Sequence, residues 1–447
     1  MIQAILIGLC ALILHSAYML PELCAWMVFI FLIPVFYLIA SHRLTSPFRA
    51  GFFWGVLYFS LHFMGIALLL YEKAQGSLRL IAFVVLVTYF SLHAGIFFWL
   101  SHRLSYKKKV PARLMVWSAG FFIFFYWIVH FSFLPLGVMA GYCFGWPPVV
   151  LAQQPEWLWL IPYLGGDFVF ILIIFLQASV VVALVKSSKT ATAILVLLVF
   201  LFSFGWFLDR DTVCPSYLDA ITYVSPPFKS MSNTMERAEE INMRIHKALN
   251  AKPSATCIIM PESSFLIPLN KCINALQLWG LNSLAQKITL CIGSCRADTH
   301  NEYNSLFIIR GCRITNYYDK SFLMPFAEYI PAVYKKITYI RNLFLKNITE
   351  FTPQKKSNKT IFLTKDLCIQ PLICSDLYMA PYGTNFKSDM DYPILLTVND
   401  SWFSMEYLKK IMFLFTVYSA LKDRRDIFYV GHTYGCWISK NGKTKLF

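Results

Sequence analysis

The chain has 447 residues, 57% of them apolar and 14% charged, with a net charge of +16. That is too oily for an ordinary soluble domain and excludes a wholly aqueous protein. No basic stripe or recognition motif accompanies the positive charge, so it points to anionic lipid headgroups and to no nucleic-acid partner.

The charge is uneven along the chain. Residues 1–210 hold 12 Lys/Arg and 5 Asp/Glu, whereas residues 211–447 hold 28 and 19. This predicts a membrane half over 1–210 and an aqueous half over 211–447. Seven apolar runs are long enough to span, at about 17 to 25 residues each: 2–20, 23–40, 51–71, 80–100, 114–134, 157–185 and 191–208. The first lacks a basic leader and a small-residue cleavage site, and reads as a retained helix. The stretch 132–156, with "GWPP" and "QQPEW", has the composition of a re-entrant or interfacial loop. His62, His93 and His130 fall inside spans, where an ionisable group either serves function or hydrogen-bonds a neighbouring helix.

Lys and Arg collect in cytoplasmic loops. The second, fourth and sixth connections carry Arg43 and Arg49; Arg103, Lys107, Lys108, Lys109 and Arg113; and Lys186 and Lys189. The other three carry only Lys73 and Arg79, offset by Glu72. This bias predicts a cytoplasmic N-terminus and, after seven crossings, an aqueous half on the opposite face, which in a bacterium is the periplasm.

From 211 onward, short β-rich runs alternate with helical ones. Strands are predicted at "ITYVS" (221–225), "TCIIMP" (256–261), "LCIGS" (290–294), "NSLFII" (304–309), "QPLIC" (370–374), "PILLTVND" (393–400) and "IFYVG" (427–431). Helices are predicted from about 234, with Asn233 and Glu236 as a capping pair, and over about 404–423. The rhythm implies a largely buried sheet covered by helices. Nine of the 12 cysteines lie in this half, an odd number, so at least one is free or pairs outside it. No Cys/His spacing suits a metal and no cofactor motif is present.

In such sheets chemistry collects where strands end at a shared crevice. Glu262 follows "IIMP", Lys320 lies in "YYDKSFLMPFAEYIP", and Cys374 ends "QPLIC". A thiol, a carboxylate and an ammonium suffice for covalent acyl transfer: the carboxylate takes the thiol proton, and the cation with a backbone N–H stabilises the oxyanion. Each also has a plain structural reading. Cys374 fits a buried strand thiol or half of a disulfide, Glu262 a helix cap or ion-pair partner, and Lys320 a solvated charge.

"MPESSF", "YNSLFIIRGCRITNYYDKSFLMPFAEYIP", "PLICSD" and "NDSWF" together resemble the nitrilase superfamily. With seven preceding spans, nearly the whole chain is similar to its membrane-embedded branch, the apolipoprotein N-acyltransferases. The resemblance implies a helix bundle fused to a nitrilase-like αββα sandwich. It implies Glu262 as general base, Lys320 as the transition-state cation and Cys374 as nucleophile. Glu328 matches a second glutamate that orients Lys320 or assists proton transfer. Trp402 matches an aromatic that lines the acyl or substrate pocket, and the Ser375 amide serves as oxyanion donor.

The implied reaction takes an acyl chain from a membrane phospholipid as a Cys374 thioester and passes it to the α-amine of a diacylglyceryl-cysteine on an apolipoprotein, with no cofactor or metal. A membrane-tethered amidase using water, or a catalytically impaired member acting as a binding protein, fits the same motifs. The pattern is departed from at several points. Ser375 and Asp376 follow the cysteine where the family has an aromatic residue and an acid, and Ala327 replaces a glycine. Lys422 and His432 lie in a poorly matching stretch, and Phe447 comes before the family's last strand segment and eighth helix.

Overall fold

The computed structural model describes residues 1–64, 78–132, 143–208, 212, 214–226, 234–265, 267–271, 288–311, 313–325, 327–332, 350–354, 360–364, 367–378, 392–403 and 405–447. The chain falls into two compact units, one formed by Met1–Pro135, Met139–Arg210 and Phe403–Asp423, the other by Leu136–Val138, Asp211–Trp402 and Arg424–Phe447.

The first unit is helical: α1 (Ile2–Met19), α2 (Ile33–Ala40), α3 (Pro47–His62), α4 (Leu78–Ser105), α5 (Val110–Phe131), α6 (Gly166–Lys186) and α7 (Lys189–Phe204). Six described helical stretches are long and apolar enough to cross a membrane by length and composition. The predicted span 51–71 corresponds to α3 as far as described, and its remainder lies outside the described residues.

The predicted span 23–40 is not one continuous α-helix. A 3₁₀ turn over Ala25–Phe29 precedes α2, whose second residue is Pro34. Backbone groups freed by such a break have no water to turn to in an apolar bundle. Gln177 of α6 supplies partners: its Oε1 accepts from Leu32 N at 2.6 Å, and its Nε2 donates to Val28 O at 3.2 Å. Of the stretch 132–156, the described residues from 143 on form 3₁₀ turns, including Pro147–Gln153, buried as far as Ala152. His93 bonds the Tyr89 carbonyl of its own helix at 2.9 Å, while His62 packs between Tyr18 and Tyr58.

The second unit contains two sheets. The first has the order β1 (Ile221–Tyr223), β2 (Cys257–Ile259), β3 (Thr289–Ala297), β4 (Glu302–Arg310), β5 (Arg313–Asp319); its first three strands are parallel and the last two antiparallel. The second runs β11 (Thr444–Leu446), β10 (Gly435–Ile438), β9 (Ile427–Val430), β8 (Ile394–Thr397), β7 (Cys368–Ile373), β6 (Ile361–Phe362), with β7, β8 and β9 parallel.

Strand side chains alternate between faces, and both faces of the first sheet are buried. Ile221, Cys257, Ile259, Cys291, Leu306 and Ile308 meet Ile369, Ile373, Leu395, Phe428, Val430 and Trp437 of the second sheet in a core between the two. Their neighbours Ile258, Met260, Leu290, Ile292, Phe307 and Ile309 pack under α8 (Thr234–Ala251) through Ile241 and Ile245. Double burial is why these strands read as unbroken apolar runs.

All seven predicted strands form, and they lie in two sheets, as in the αββα sandwich that the resemblance implies, where the strand-helix rhythm alone suggested one. The missed strands are β5, β6, β10 and β11. In β5 the side chains from Arg313 to Tyr317 are at least partly exposed, so its polar sequence hid it. The predicted helix near 404 forms as α10 (Glu406–Asp423) and packs within the first unit, where Trp146 Nε1 donates to Tyr418 Oη at 3.2 Å. Asn233 lies outside the described residues.

The two sheets approach closely at Gly435, where an added Cβ would lie 2.6 Å from the Tyr223 ring. Gly435→Val should therefore lower stability by about 1 to 3 kcal/mol, read as a fall in thermal midpoint in detergent, with no compensation from the β-propensity of valine.

Candidate active site

Three parallel strands, β2, β7 and β8, end in loops that carry the candidate residues Glu262, Cys374 and Trp402. After β2, Met260 N still bonds Cys291 O at 2.8 Å, and the chain then turns through Pro261, Glu262 and Ser263, the last at φ +60°. The turn lies directly on β3: a Cβ on Gly293 would sit 2.3 Å from Pro261 O and 2.7 Å from Glu262 Cα. Only a residue without a side chain lets Glu262 come this close.

Cys374 occupies the corresponding place after β7. Its N–H donates to Thr397 O at 2.9 Å, extending the ladder one residue, and at φ +42° the chain then leaves the sheet for α9 (Ser375–Tyr378). A left-handed backbone at a non-glycine residue costs about 1 to 3 kcal/mol and lifts the side chain out of the strand register. Cys374 is half-buried and is a free thiol, so the disulfide reading does not hold. The first N–H groups of α9 have no acceptor within that turn, and Ser375 is its first residue.

Lys320 follows β5 directly and is 2% exposed. Its Nζ donates to Glu262 Oε1 at 2.9 Å and to Glu328 Oε1 at 3.0 Å. Asn304 of β4 joins the same two atoms, its Nδ2 lying 2.7 Å from Glu262 Oε1 and 2.6 Å from Glu328 Oε1. Asn399 N donates to Glu262 Oε2 at 2.9 Å, and Met324 N to Glu328 Oε2 at 2.7 Å. Every carboxylate oxygen in the cluster thus has at least one donor.

Burial alone would lower the Lys320 ammonium, but the Glu262 and then the Glu328 carboxylate hold it well above its ordinary range. Burial and the Glu262 carboxylate push the Cys374 thiol well above its own, and Lys320 offsets this only in part. The site therefore rests as a thiol within the electrostatic field of an ion-pair cluster.

The two residues after the cysteine face the Lys320 loop. Ser375 Oγ donates to Phe322 O at 2.5 Å. Asp376 is fully buried and accepts from Ser321 N (3.0 Å), Phe322 N (2.8 Å), Ile373 N (3.0 Å) and Tyr318 Oη (3.0 Å). Burial raises its carboxyl to about 6, with Lys320 and the backbone donors pulling the other way. Asp376 thus clasps the cysteine turn to the lysine loop. Trp402 stands half-buried at the end of the Asp400–Trp402 turn, three residues beyond Asn399.

The structure brings Glu262, Lys320 and Glu328 into direct contact, Cys374 into their field, and Ser375 and Asp376 into the adjoining loop. Sequence reasoning left Asn304, Tyr318 and Asn399 without roles, although Asn304 and Asn399 lie in the quoted "YNS" and "NDSWF" segments. It noted His432 only as a mismatch; its ring Nε2 lies 2.9 Å from the Glu262 carbonyl oxygen.

One chain thus joins apolar helices long enough to cross a membrane, the mark of a multi-pass membrane protein, to a two-sheet α/β unit. The chain is similar to proteins named apolipoprotein N-acyltransferase. It is 24% identical over 70% of its length to that of Helicobacter pylori, covering 73% of it. It is 27% identical over 36% of its length to that of Helicobacter hepaticus, and 35% identical over 23% to that of Borreliella burgdorferi. The last two matches span 38% and 19% of those relatives. No family model matches. Among solved structures, a carbon-nitrogen hydrolase from Helicobacter pylori superposes with a TM-score of 0.35 at 11% identity, over 50% of this chain and 82% of that one. A Nesterenkonia amidase of the nitrilase superfamily does so at 0.33 and 9%, over 50% and 83%.

Asp376→Asn should turn an amide N–H₂ toward backbone donors and release the clasp. We expect a loss of about 1 to 3 kcal/mol in stability and slower modification of Cys374 by an acylating probe, both measured on the full chain in detergent.

Proposed function

We propose that the protein is a membrane acyltransferase. Its donor is a phospholipid, its intermediate a Cys374 thioester, and its acceptor the N-terminal amine of a diacylglyceryl-cysteine on an apolipoprotein. The observation that carries this reading is the buried Glu262–Lys320–Glu328 cluster within electrostatic reach of a free thiol on a strained strand-end turn. The names of the relatives support the substrate class.

In the first half-reaction Glu262 takes the proton from Cys374 Sγ as sulfur attacks the acyl carbonyl. Charge developing on the carbonyl oxygen is met by Lys320 and the Ser375 N–H. Collapse forms the thioester and breaks the ester bond, and the lysophospholipid alkoxide leaves with the proton held by Glu262. In the second half-reaction the acceptor amine attacks the thioester and gives a proton to Glu262, and the sulfur leaves and is reprotonated. Glu328 fixes Lys320 alongside Glu262, and Trp402 lines the acyl or substrate pocket.

Both substrates are anchored in lipid, so a catalytic domain carried by a membrane bundle meets them without either leaving the bilayer. The loop charge bias supports a bacterial inner membrane with residues 211–447 on the periplasmic side. The domain division at about residue 210 belongs to the same reading.

Expression in a bacterium depleted of its own N-acyltransferase should restore triacylated lipoprotein N-termini, seen by mass spectrometry. Diacylated termini alone, with the chain correctly inserted, would sink the proposal. Cys374→Ser should abolish the phospholipid-derived thioester, whereas loss of that adduct in Cys368→Ser but not Cys374→Ser would reassign the nucleophile.

The pH dependence has a definite sign. Because burial and then the Glu262 carboxylate raise the Cys374 thiol, iodoacetamide alkylation of Cys374 should have a midpoint above the ordinary thiol value of about 8.5. Removing the negative charge in Glu262→Gln should move that midpoint to lower pH.

A further inference from the structure

Glu262 is gripped at two points from the second sheet, and only one is its carboxylate. Asn399, just beyond β8, donates its N–H to Oε2. His432, two residues beyond β9, places ring Nε2 2.9 Å from the Glu262 backbone oxygen. A carbonyl oxygen only accepts, so that nitrogen carries the hydrogen in the contact.

The turn that holds His432 is itself fixed. Buried Asp400, the neighbour of Asn399, accepts from His432 N at 2.7 Å and from Thr433 N at 3.3 Å. From the segment after β1, Ser225 Oγ donates to His432 O at 2.6 Å. One loop after β8 therefore holds the Glu262 carboxylate directly and the Glu262 carbonyl through His432. Glu262 sits beside a residue at φ +60°, so its turn is strained and depends on its surroundings to hold it.

We propose that His432 is a positioning residue for the base: its Nε2–H, held by the Asp400 turn, fixes the backbone of Glu262 and so aims the carboxylate at Cys374. The donor is the N–H rather than the bulk of the ring, and both the neutral Nε2–H tautomer and the imidazolium supply it. The inference rests on Glu262 acting as the base in the reaction proposed above, and on geometry that does not depend on the acyl donor.

The test uses the full chain in vesicles of phosphatidylethanolamine and phosphatidylglycerol. Two readouts are followed: the pH profile of Cys374 alkylation by iodoacetamide, quantified on the Cys374 peptide by mass spectrometry, and the rate of thioester formation. His432→Phe keeps a ring and removes the donor. It should shift the alkylation midpoint to lower pH, as the Glu262 carboxylate moves off the thiol, and should slow thioester formation about tenfold, of the order of one hydrogen bond. His432→Gln, whose amide N–H₂ can meet the same carbonyl, should restore both.

A Phe profile superimposable on that of the native chain overturns the proposal, as does a Gln variant shifted as far as Phe, which would assign the effect to ring packing. Should His432→Phe fail to fold, the ¹⁵N resonance of His432 Nε2 in the native chain decides: a nitrogen without a proton overturns the assignment, and a protonated one supports it. If the native chain forms no thioester while the alkylation shift still follows the variants, the positioning role stands and the acyl-transfer reading fails.

Discussion

The ammonium of Lys320, buried between two carboxylates, is the constraint on which the second unit depends. Desolvating one cation and two anions is costly, and excellent geometry with extra donors is what offsets it. The chain meets that demand from four places: Lys320 after β5, Glu262 after β2, Glu328 on the 324–328 turn and Asn304 on β4. Each must arrive within hydrogen-bond reach at once, and that requires β2, β3, β4 and β5 in one register. The four-residue loop 321–324 is fixed at one end by Asp376 and at the other by Glu328, so the cluster also ties the first sheet to the cysteine turn of the second.

The two sheets use one device twice. A parallel strand ends, its ladder is extended by one further N–H, and a non-glycine residue at positive φ turns the chain out: Ser263 beside Glu262, and Cys374 itself. Such conformations persist only where the surroundings over-determine them. Here the surroundings are visible: Gly293 admits the Glu262 turn, and four donors to Asp376 hold the residue two beyond Cys374. Asp376 thus positions the Cys374 turn through backbone donors and the Tyr318 hydroxyl.

This explains what the sequence displayed and what it hid. The apolar strands were legible because both of their faces are buried, Glu262 and Cys374 because each lies at the end of such a strand, and Lys320 only through the motif around it. The edge strands β5, β6 and β11 were not, since partial exposure permits polar sequence, and β6 and β11 are two and three residues long. The division into two sheets was invisible to periodicity, because a residue facing the inter-sheet core and one facing α8 are equally apolar. Asn304, Asn399 and His432 were hidden for another reason: their roles come from backbone groups and from contacts between strands far apart in sequence. Nothing local to "GHTYG" foretells that its histidine meets the carbonyl of a residue 170 positions earlier.

The charge of the cluster sets the order of events in the proposed reaction. Two carboxylates against one ammonium already leave an excess negative charge beside Cys374, so a thiolate formed in advance adds a second in a region poor in water. Ionisation is favoured only when the sulfur's electrons pass into a bond with the acyl carbon as the proton passes to Glu262. That transfer neutralises Glu262 and removes one of the two anions Lys320 was balancing. The ammonium, still held by Glu328, then has charge to spare for the oxyanion that forms in the same step. Glu328 thus keeps Lys320 in place while Glu262 changes charge, a reason for two glutamates where proton transfer alone needs one.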